Sequence, residues 1–313
     1  MEFLKNDETN AKKILFTGLD AAGKTSIILA LRRELEKVAI IKPTKSVSHR
    51  IFDFLGRQIS EWDLGGQKSY RIAYLKNPSV YFDNTEIAIY VIDIQGSDRF
   101  HEAVSYLNDV IEQFKELEIE PPIYIFFHKY DPALTKNDEN KYATNSLNLR
   151  TEIMSQIKYN KLHFHNTSIF NLSSIMAAVS EILGNMFLKV DLIDKIIKEF
   201  GNKFKAAAVE VIDDNSLIIG SFHENDAVRD ILEASRPYFL NLNDSLENTG
   251  PIGGQGMEDQ MLIQRFGKFF LFKRFSLIDS GPPHYLLLLK DDPSFDQSEF
   301  EAFVKLLKNI IKK

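Results

Sequence analysis

Gly18-Leu19-Asp20-Ala21-Ala22-Gly23-Lys24-Thr25 follows directly on the apolar run Ile14-Leu15-Phe16-Thr17 and leads into apolar residues at helical spacing, Ile28, Leu31, Leu35 and Val38. A strand, a loop of the form G-x-x-x-x-G-K-[ST] and a helix, in that order, can wrap backbone N–H groups around phosphates at a helix N-terminus. Lys24 would reach the β- and γ-phosphates, and the Thr25 hydroxyl would bind Mg²⁺. Gly18, Asp20, Ala21, Ala22, Gly23, Lys24, Thr25 and Ser26 are therefore the candidate phosphate-binding residues, and the spacing predicts a helix over 25–38.

Three further strings lie in order downstream. Trp62-Asp63-Leu64-Gly65-Gly66-Gln67 closes a strand-like stretch. There Asp63 can hold the metal, Gly66 can present its amide to a γ-phosphate, and Gln67 can orient an attacking water. His128-Lys129-Tyr130-Asp131 follows the apolar run at 123–127. Asp131 can accept both the imino and the amino proton of guanine, a pattern adenine cannot supply, and such a site discriminates strongly. Thr167-Ser168-Ile169 supplies a loop whose backbone can meet the guanine carbonyl. Together the strings point to GTP and GDP as substrate and product, with Mg²⁺ as cofactor.

The surrounding pattern is an open α/β sheet. Stretches 49–54 and 59–64 are joined by four residues and read as an antiparallel hairpin. The runs at 86–93 and 123–127 are near-continuous apolar strands of the kind buried on both faces. Helices are predicted over 98–117, 137–157 and 172–187, with a strand at 162–164. After Gly184 the order changes to helix, two strands, helix, three strands and helix, a second α+β domain at 185–313. A glycine-rich loop is expected at 250–256; its Gly253-Gly254-Gln255 reads as loop rather than catalytic motif.

Composition narrows the classes. Lysine plus arginine number 38 against 44 aspartates plus glutamates, a net charge of −6, which argues against a nucleic-acid-binding surface. There is no cysteine, hence no disulfide or zinc-thiolate framework. Glu2 stands where N-myristoylation needs glycine, and no apolar run has membrane-spanning length. A cytoplasmic protein, at a membrane surface only through partners, is expected. His163 and His165 lack an obvious third metal ligand, and the terminal Lys308, Lys312 and Lys313 suit a helix C-terminus.

Over residues 1–184 these motifs resemble the Ras-superfamily small GTPases. GLDAAGKT, WDLGGQ and Pro43-Thr44 look like the Arf family; His128-Lys129-Tyr130-Asp131, Thr167-Ser168-Ile169 and the stretch from Tyr90 to Gln95 look like the Rag/Gtr family. Rag/Gtr proteins continue into a roadblock-like domain, as this chain's second domain suggests, whereas Arf proteins end after the G domain. The resemblance implies a P-loop fold with a mostly parallel six-stranded sheet and one antiparallel strand, followed by a roadblock/longin-like domain. It implies that Thr44 joins Mg²⁺ in the GTP state. It also implies homo- or heterodimerisation through residues 185–313, adaptors carrying roadblock or longin domains, an exchange factor and an activating protein. His128 stands in place of the usual asparagine, as either a substitute hydrogen bond or a tolerated change. Asp20, and the absence of arginine from 39–46, suggest slow hydrolysis without a partner. Two alternatives remain beside a Rag/Gtr-type switch: an Arf-like trafficking GTPase, and a nucleotide-binding scaffold with little hydrolysis.

Overall fold

The computed structural model describes residues 11–135, 141–187, 189–248, 260–265, 267–279 and 281–312. The expected loop at 250–256 and Glu2, read above against N-myristoylation, lie outside the described residues. The chain forms two compact units, Met1–Ile175 and Met176–Lys313, divided within one helix.

The first unit contains β1 (Lys12–Gly18), α1 (Lys24–Leu31), β2 (Val47–Phe54), β3 (Arg57–Leu64), α2 (Lys68–Leu75) and α3 (Pro78–Tyr81). It continues through β4 (Thr85–Asp93), α4 (Phe100–Glu116), β5 (Ile123–His128), α5 (Pro132–Thr135), α6 (Lys141–Gln156), β6 (Leu162–Thr167) and the start of α7 (Leu172–Phe187). The sheet order is β2-β3-β1-β4-β5-β6. Only β2 runs antiparallel, paired with β3 from Val47 opposite Leu64 to Phe54 opposite Arg57. The apolar runs take the central places: β5 is buried along its whole length and β4 nearly so, as strands covered on both faces must be. α4 turns Val104, Leu107, Val110, Ile111 and Phe114 inward at helical spacing, into a core with Leu15, Tyr90, Ile125 and Phe127.

One predicted helix is shorter than its periodicity suggests. α1 stops at Leu31, and residues 35–40 form a separate 3-10 turn. Arg33 takes a left-handed φ of 56°; its N–H donates to Ala30 O, while Glu34 N–H donates to Leu29 O. That pair of bonds is a Schellman stop, and it satisfies carbonyls the helix end would otherwise orphan. Arg32 is held in place by an ion pair to Glu61 on β3.

The parallel strands all deliver their carboxyl ends to one edge of the sheet. The P-loop leaves β1 there, Gly65 to Gln67 leaves β3, and the segments after Asp93, His128 and Thr167 leave β4, β5 and β6. In open α/β sheets this edge is where ligands bind.

The second unit holds the rest of α7, α8 (Val190–Lys203), β7 (Ala206–Asp213), β8 (Ile218–His223), α9 (Asp226–Asn248), β9 (Gln260–Arg265), β10 (Lys268–Phe275), β11 (His284–Lys290) and α10 (Gln297–Ile311). Its antiparallel sheet runs β8-β7-β11-β10-β9. Strand alternation sorts the side chains. Ala208, Ile212, Tyr285, Leu287 and Leu289 pack with Leu232, Phe239 and Leu240 of α9. On the other face Val209 meets Gly201 of α8, and α8 and α10 join through stacked Phe200 and Phe303, 4.1 Å between ring centres. Inside the α9 interface, Arg236 and Glu210 form a bidentate ion pair at 2.9–3.0 Å, both side chains almost fully buried. Lys308 and Lys312 reach Asp279 at 3.2 and 3.4 Å, so these two lysines have a carboxylate partner as well as a helix dipole, while Lys313 lies outside the described residues. Among the described residues no helix is long and apolar enough to cross a membrane.

Candidate nucleotide-binding site

The P-loop, residues 41–44, the end of β3 and Lys129 enclose a cleft of about 370 Å³. It is lined by Asp20, Ala21, Gly23, Lys24, Thr25, Ser26, Ile41, Lys42, Pro43, Thr44, Gly66, Gln67 and Lys129. Ten of the sequence-predicted site residues are in that lining. Gly18, Ala22, Asp63, His128, Asp131, Ser168 and Ile169 are not, and most of these support it from behind or beside. Ile41 and Lys42 were missed; they precede Pro43-Thr44, where only the threonine carried a chemical signal.

Two glycines have structural reasons. Gly23 has φ +99°, and a Cβ there would lie 2.4 Å from the His128 ring. A Cβ on Gly66 would lie 2.2 Å from Asp20 N, so the β3 end approaches the P-loop as closely as backbone permits. Asp20 N–H donates to Gly66 O at 3.1 Å.

Lys24 is the cation of the loop. Its Nζ donates to Gly18 O at 3.0 Å and Leu19 O at 2.7 Å. Burial, only partly offset by Asp63 and Asp20, pulls it down to about 8. Below it Thr25 Oγ1 donates to Asp63 Oδ2 at 2.7 Å, and Thr44 Oγ1 stands 2.9 Å from Thr25 Oγ1 and 3.3 Å from Asp63 Oδ2. Asp63 is only 4% exposed and its Oδ1 has no hydrogen-bond partner. Burial raises its carboxyl above the ordinary range against the opposing Thr25 bond and Lys24 charge. A buried carboxylate oxygen without a partner is costly, and a hard cation is a natural complement. Asp63 with two hydroxyls is thus a donor set that fits Mg²⁺. Among the described residues no three His, Cys, Asp or Glu side chains cluster, so such an ion would need ligand phosphate oxygens to complete its shell.

The base side is assembled from three strand ends. Lys129, at φ +63°, bonds Asp93 at 2.6 Å. Ser168 Oγ donates to Asp131 Oδ1 at 2.5 Å, and the Phe170 N–H donates back to Ser168 Oγ at 3.0 Å. His128 is 1% exposed; its Nδ1 is 3.0 Å from Thr167 Oγ1 and its ring backs Gly23. Burial, followed by the charge of Lys129, lowers it to about 4, so the imidazole is neutral. His163 and His165 stack on Tyr124 instead of forming a metal cluster.

A charged ring lies beside the cleft. Arg99 donates to Asp20 Oδ1 at 2.6 Å and to its carbonyl at 3.1 Å, and it contacts Glu102. Glu102 pairs with Arg71, whose Nε donates to Gly66 O at 2.9 Å. Partial burial, the largest single influence, opposes the Asp20 charge, but the bond and the charge of Arg99, with smaller help from the backbone and Arg71, together hold the carboxyl below its ordinary range.

The sequence model of the Gtr1/RagA G protein conserved region matches residues 13–236. The chain belongs to the Gtr1/RagA family. ADP-ribosylation factor-like protein 3 of Chlamydomonas reinhardtii is 38% identical over 128 residues, 41% of this chain and 67% of that protein. Its Caenorhabditis elegans counterpart is 34% identical over 138 residues, 44% of this chain and 70% of that protein. The Arl6 BBS3 small GTPase from Trypanosoma brucei, solved with bound nucleotide analogue GppNp, has a TM-score of 0.42 and 18% identity, covering 55% of this chain and 95% of that chain. The Gtr1/RagA match continues past Ile175 into the second unit, while the Arf-like matches take less than half of the chain. This Gtr1/RagA protein is a small GTP-binding switch, with Arf-like features confined to part of its length.

Proposed function

We propose that the chain is a GTP-hydrolysing molecular switch of the Rag/Gtr type, slow without an activating partner, that dimerises through a roadblock-like C-terminal domain at 185–313. The observation that carries the switch is the convergence of Thr44, Thr25 and Asp63 under Lys24. Thr44 comes from residues 41–44, which form neither helix nor strand, so a ligand that engages it would also order that segment. Mg²⁺, held by Thr25, Thr44 and Asp63, would neutralise charge on the phosphates. Lys24 and the P-loop amides bind the phosphate oxygens, Gly66 offers its amide to the terminal phosphate, and Gln67 at the cleft mouth orients the water. Lys129, Asp131, Ser168 and Ile169 form the guanine side, and His128 buttresses Gly23 from behind.

Dimerisation is supported by the second unit's surface. On α9, Ile231, Tyr238 and Leu242 are 48%, 77% and 43% exposed and recur at helical spacing. β9 ends the sheet and carries exposed Leu262 and Ile263, an edge suited to pairing with a like unit. Adaptors with roadblock or longin domains, an exchange factor, an activating protein and an indirect membrane association complete the proposal.

A scaffold that binds nucleotide and scarcely hydrolyses it is the second reading. It is favoured by the cationic lining, which among the described residues is lysine only, with Arg71 and Arg99 turned to Gly66, Glu102 and Asp20. Single-turnover GTP hydrolysis separates the two. Gln67→Leu should slow hydrolysis about tenfold or more while GTP stays bound; an unchanged rate would favour the scaffold.

A further inference from the structure

Gln95 lies two residues past β4, in a stretch noted above only for its family resemblance. Its backbone N–H donates to Asp93 Oδ1 at 2.9 Å. Its side-chain Nε2 donates to Lys129 O at 2.7 Å and to Asp131 Oδ2 at 2.9 Å. Both amide protons are therefore committed to the segment that carries the base-reading carboxylate. From the β6 side, Ser168 holds the other oxygen of Asp131. The carboxylate is gripped at both ends, from loops that follow two different strands.

The grip matters because the terminal torsion of an aspartate is soft and broad. Reading two N–H groups on one base edge requires the carboxylate plane to lie along that edge. An ionised carboxylate has about four acceptor positions. Gln95 and Ser168 take one on each oxygen, which leaves one on each for the imino and amino protons of guanine. Lys129 adds a second need for the clamp: it sits in a left-handed turn, and Gln95 anchors its carbonyl.

We propose that Gln95 is a positioning residue for guanine selection, aligning Asp131 through Oδ2 while Ser168 aligns it through Oδ1. The inference rests on the reading of Asp131 as the guanine reader. Inosine nucleotides separate alignment from simple tethering, since hypoxanthine lacks the 2-amino group and gives Asp131 one hydrogen bond in place of two.

The test is competition of GDP, IDP and ADP against a fluorescent GDP analogue on the full chain, for wild type, Gln95→Met and Gln95→Glu. Met keeps the length of Gln95 and removes both donations; Glu sets a second carboxylate against Asp131. In Gln95→Met the preference for GDP over IDP should fall about tenfold, and in Gln95→Glu it should fall further. Should Gln95→Met not fold, as judged by its thermal melt, Gln95→Glu carries the same comparison. Equal weakening of GDP and IDP, or no weakening of either, would reduce Gln95 to a tether and overturn the proposal. A wild-type protein with no preference for GDP over ADP would overturn the reading of Asp131 itself, and the role of Gln95 with it.

Discussion

His128 makes the N-terminal unit acid-sensitive by a calculable amount. The side chain is 1% exposed, its Nδ1 faces Thr167, and burial lowers it from 6.5 to about 4. Between these values the unfolded chain binds a proton that the folded unit refuses. Stability is then fully present above pH 6.5 and is lost as pH falls toward 4. At about 1.4 kcal/mol per tenfold change in proton affinity, the whole effect is about 3 kcal/mol, and about 2 kcal/mol of it is lost by pH 5. His128→Asn removes the titration. The sequence has one tryptophan, Trp62 on β3, so its fluorescence reports this unit alone. Urea unfolding would be followed at pH 7 and pH 5 without nucleotide, since bound ligand adds its own stabilisation. Wild type should lose about 2 kcal/mol more than His128→Asn between the two pH values. His284, also lowered to about 4 by burial and then Lys308, belongs to the other unit and is common to both proteins. Equal losses in the two proteins would refute a buried, neutral His128.

Two further outcomes concern the second unit. Arg236→Met leaves the buried Glu210 carboxylate with His223 alone, at 3.2 Å, and should cost about 3 kcal/mol in denaturant unfolding, whereas adding Glu210→Leu should recover most of that loss; a double variant as weak as the single one would contradict the pairing argument. Ile231→Asp with Tyr238→Asp should convert a dimer to a monomer in sedimentation velocity with little change in thermal midpoint, because both side chains are exposed within the chain; an unchanged mass would remove this face of α9 from the interface.

What the sequence disclosed and what it hid divide along the range of the interactions. The P-loop, WDLGGQ and HKYD strings are legible because each packs its chemistry into eight residues or fewer, on a strand end that apolar runs had already marked. The cores of β4 and β5 were equally plain, for burial on both faces leaves few polar residues. The stop of α1 at Leu31 was hidden: Arg33 has no glycine-like signature, and the turn is supported by an ion pair from Arg32 to Glu61 on another strand. Position 128 was marked by its motif, but its neighbours Gly23 and Thr167 lie far away in sequence. Gln95 stood out only through its family resemblance, with no hint of its contacts, and Arg71 and Arg99 carried no signal at all, because a long polar side chain acquires its role from whichever distant loop the topology brings to it.

The ring around Gly66 shows what such distant pairing does. Gly66 O accepts from Asp20 N–H and from Arg71 Nε; Arg71 passes to Glu102, Glu102 to Arg99, and Arg99 returns to the carboxylate and carbonyl of Asp20. The circuit links the P-loop, the β3 end, α2 and α4. Its outer members are a third to a half exposed, so each ion pair adds little stability. Arg71 is different: it is 7% exposed, lies over Tyr106 with 5.0 Å to the ring centre, and would leave buried donors unmet if Gly66 moved away. Displacing Gly66 therefore breaks a P-loop bond and a buried arginine bond together. The P-loop and the segment that carries Gln67 are thus coupled through two hydrogen bonds at Gly66 O, and Asp20, whose carboxylate turns outward to Arg99, meets that segment through its backbone N–H.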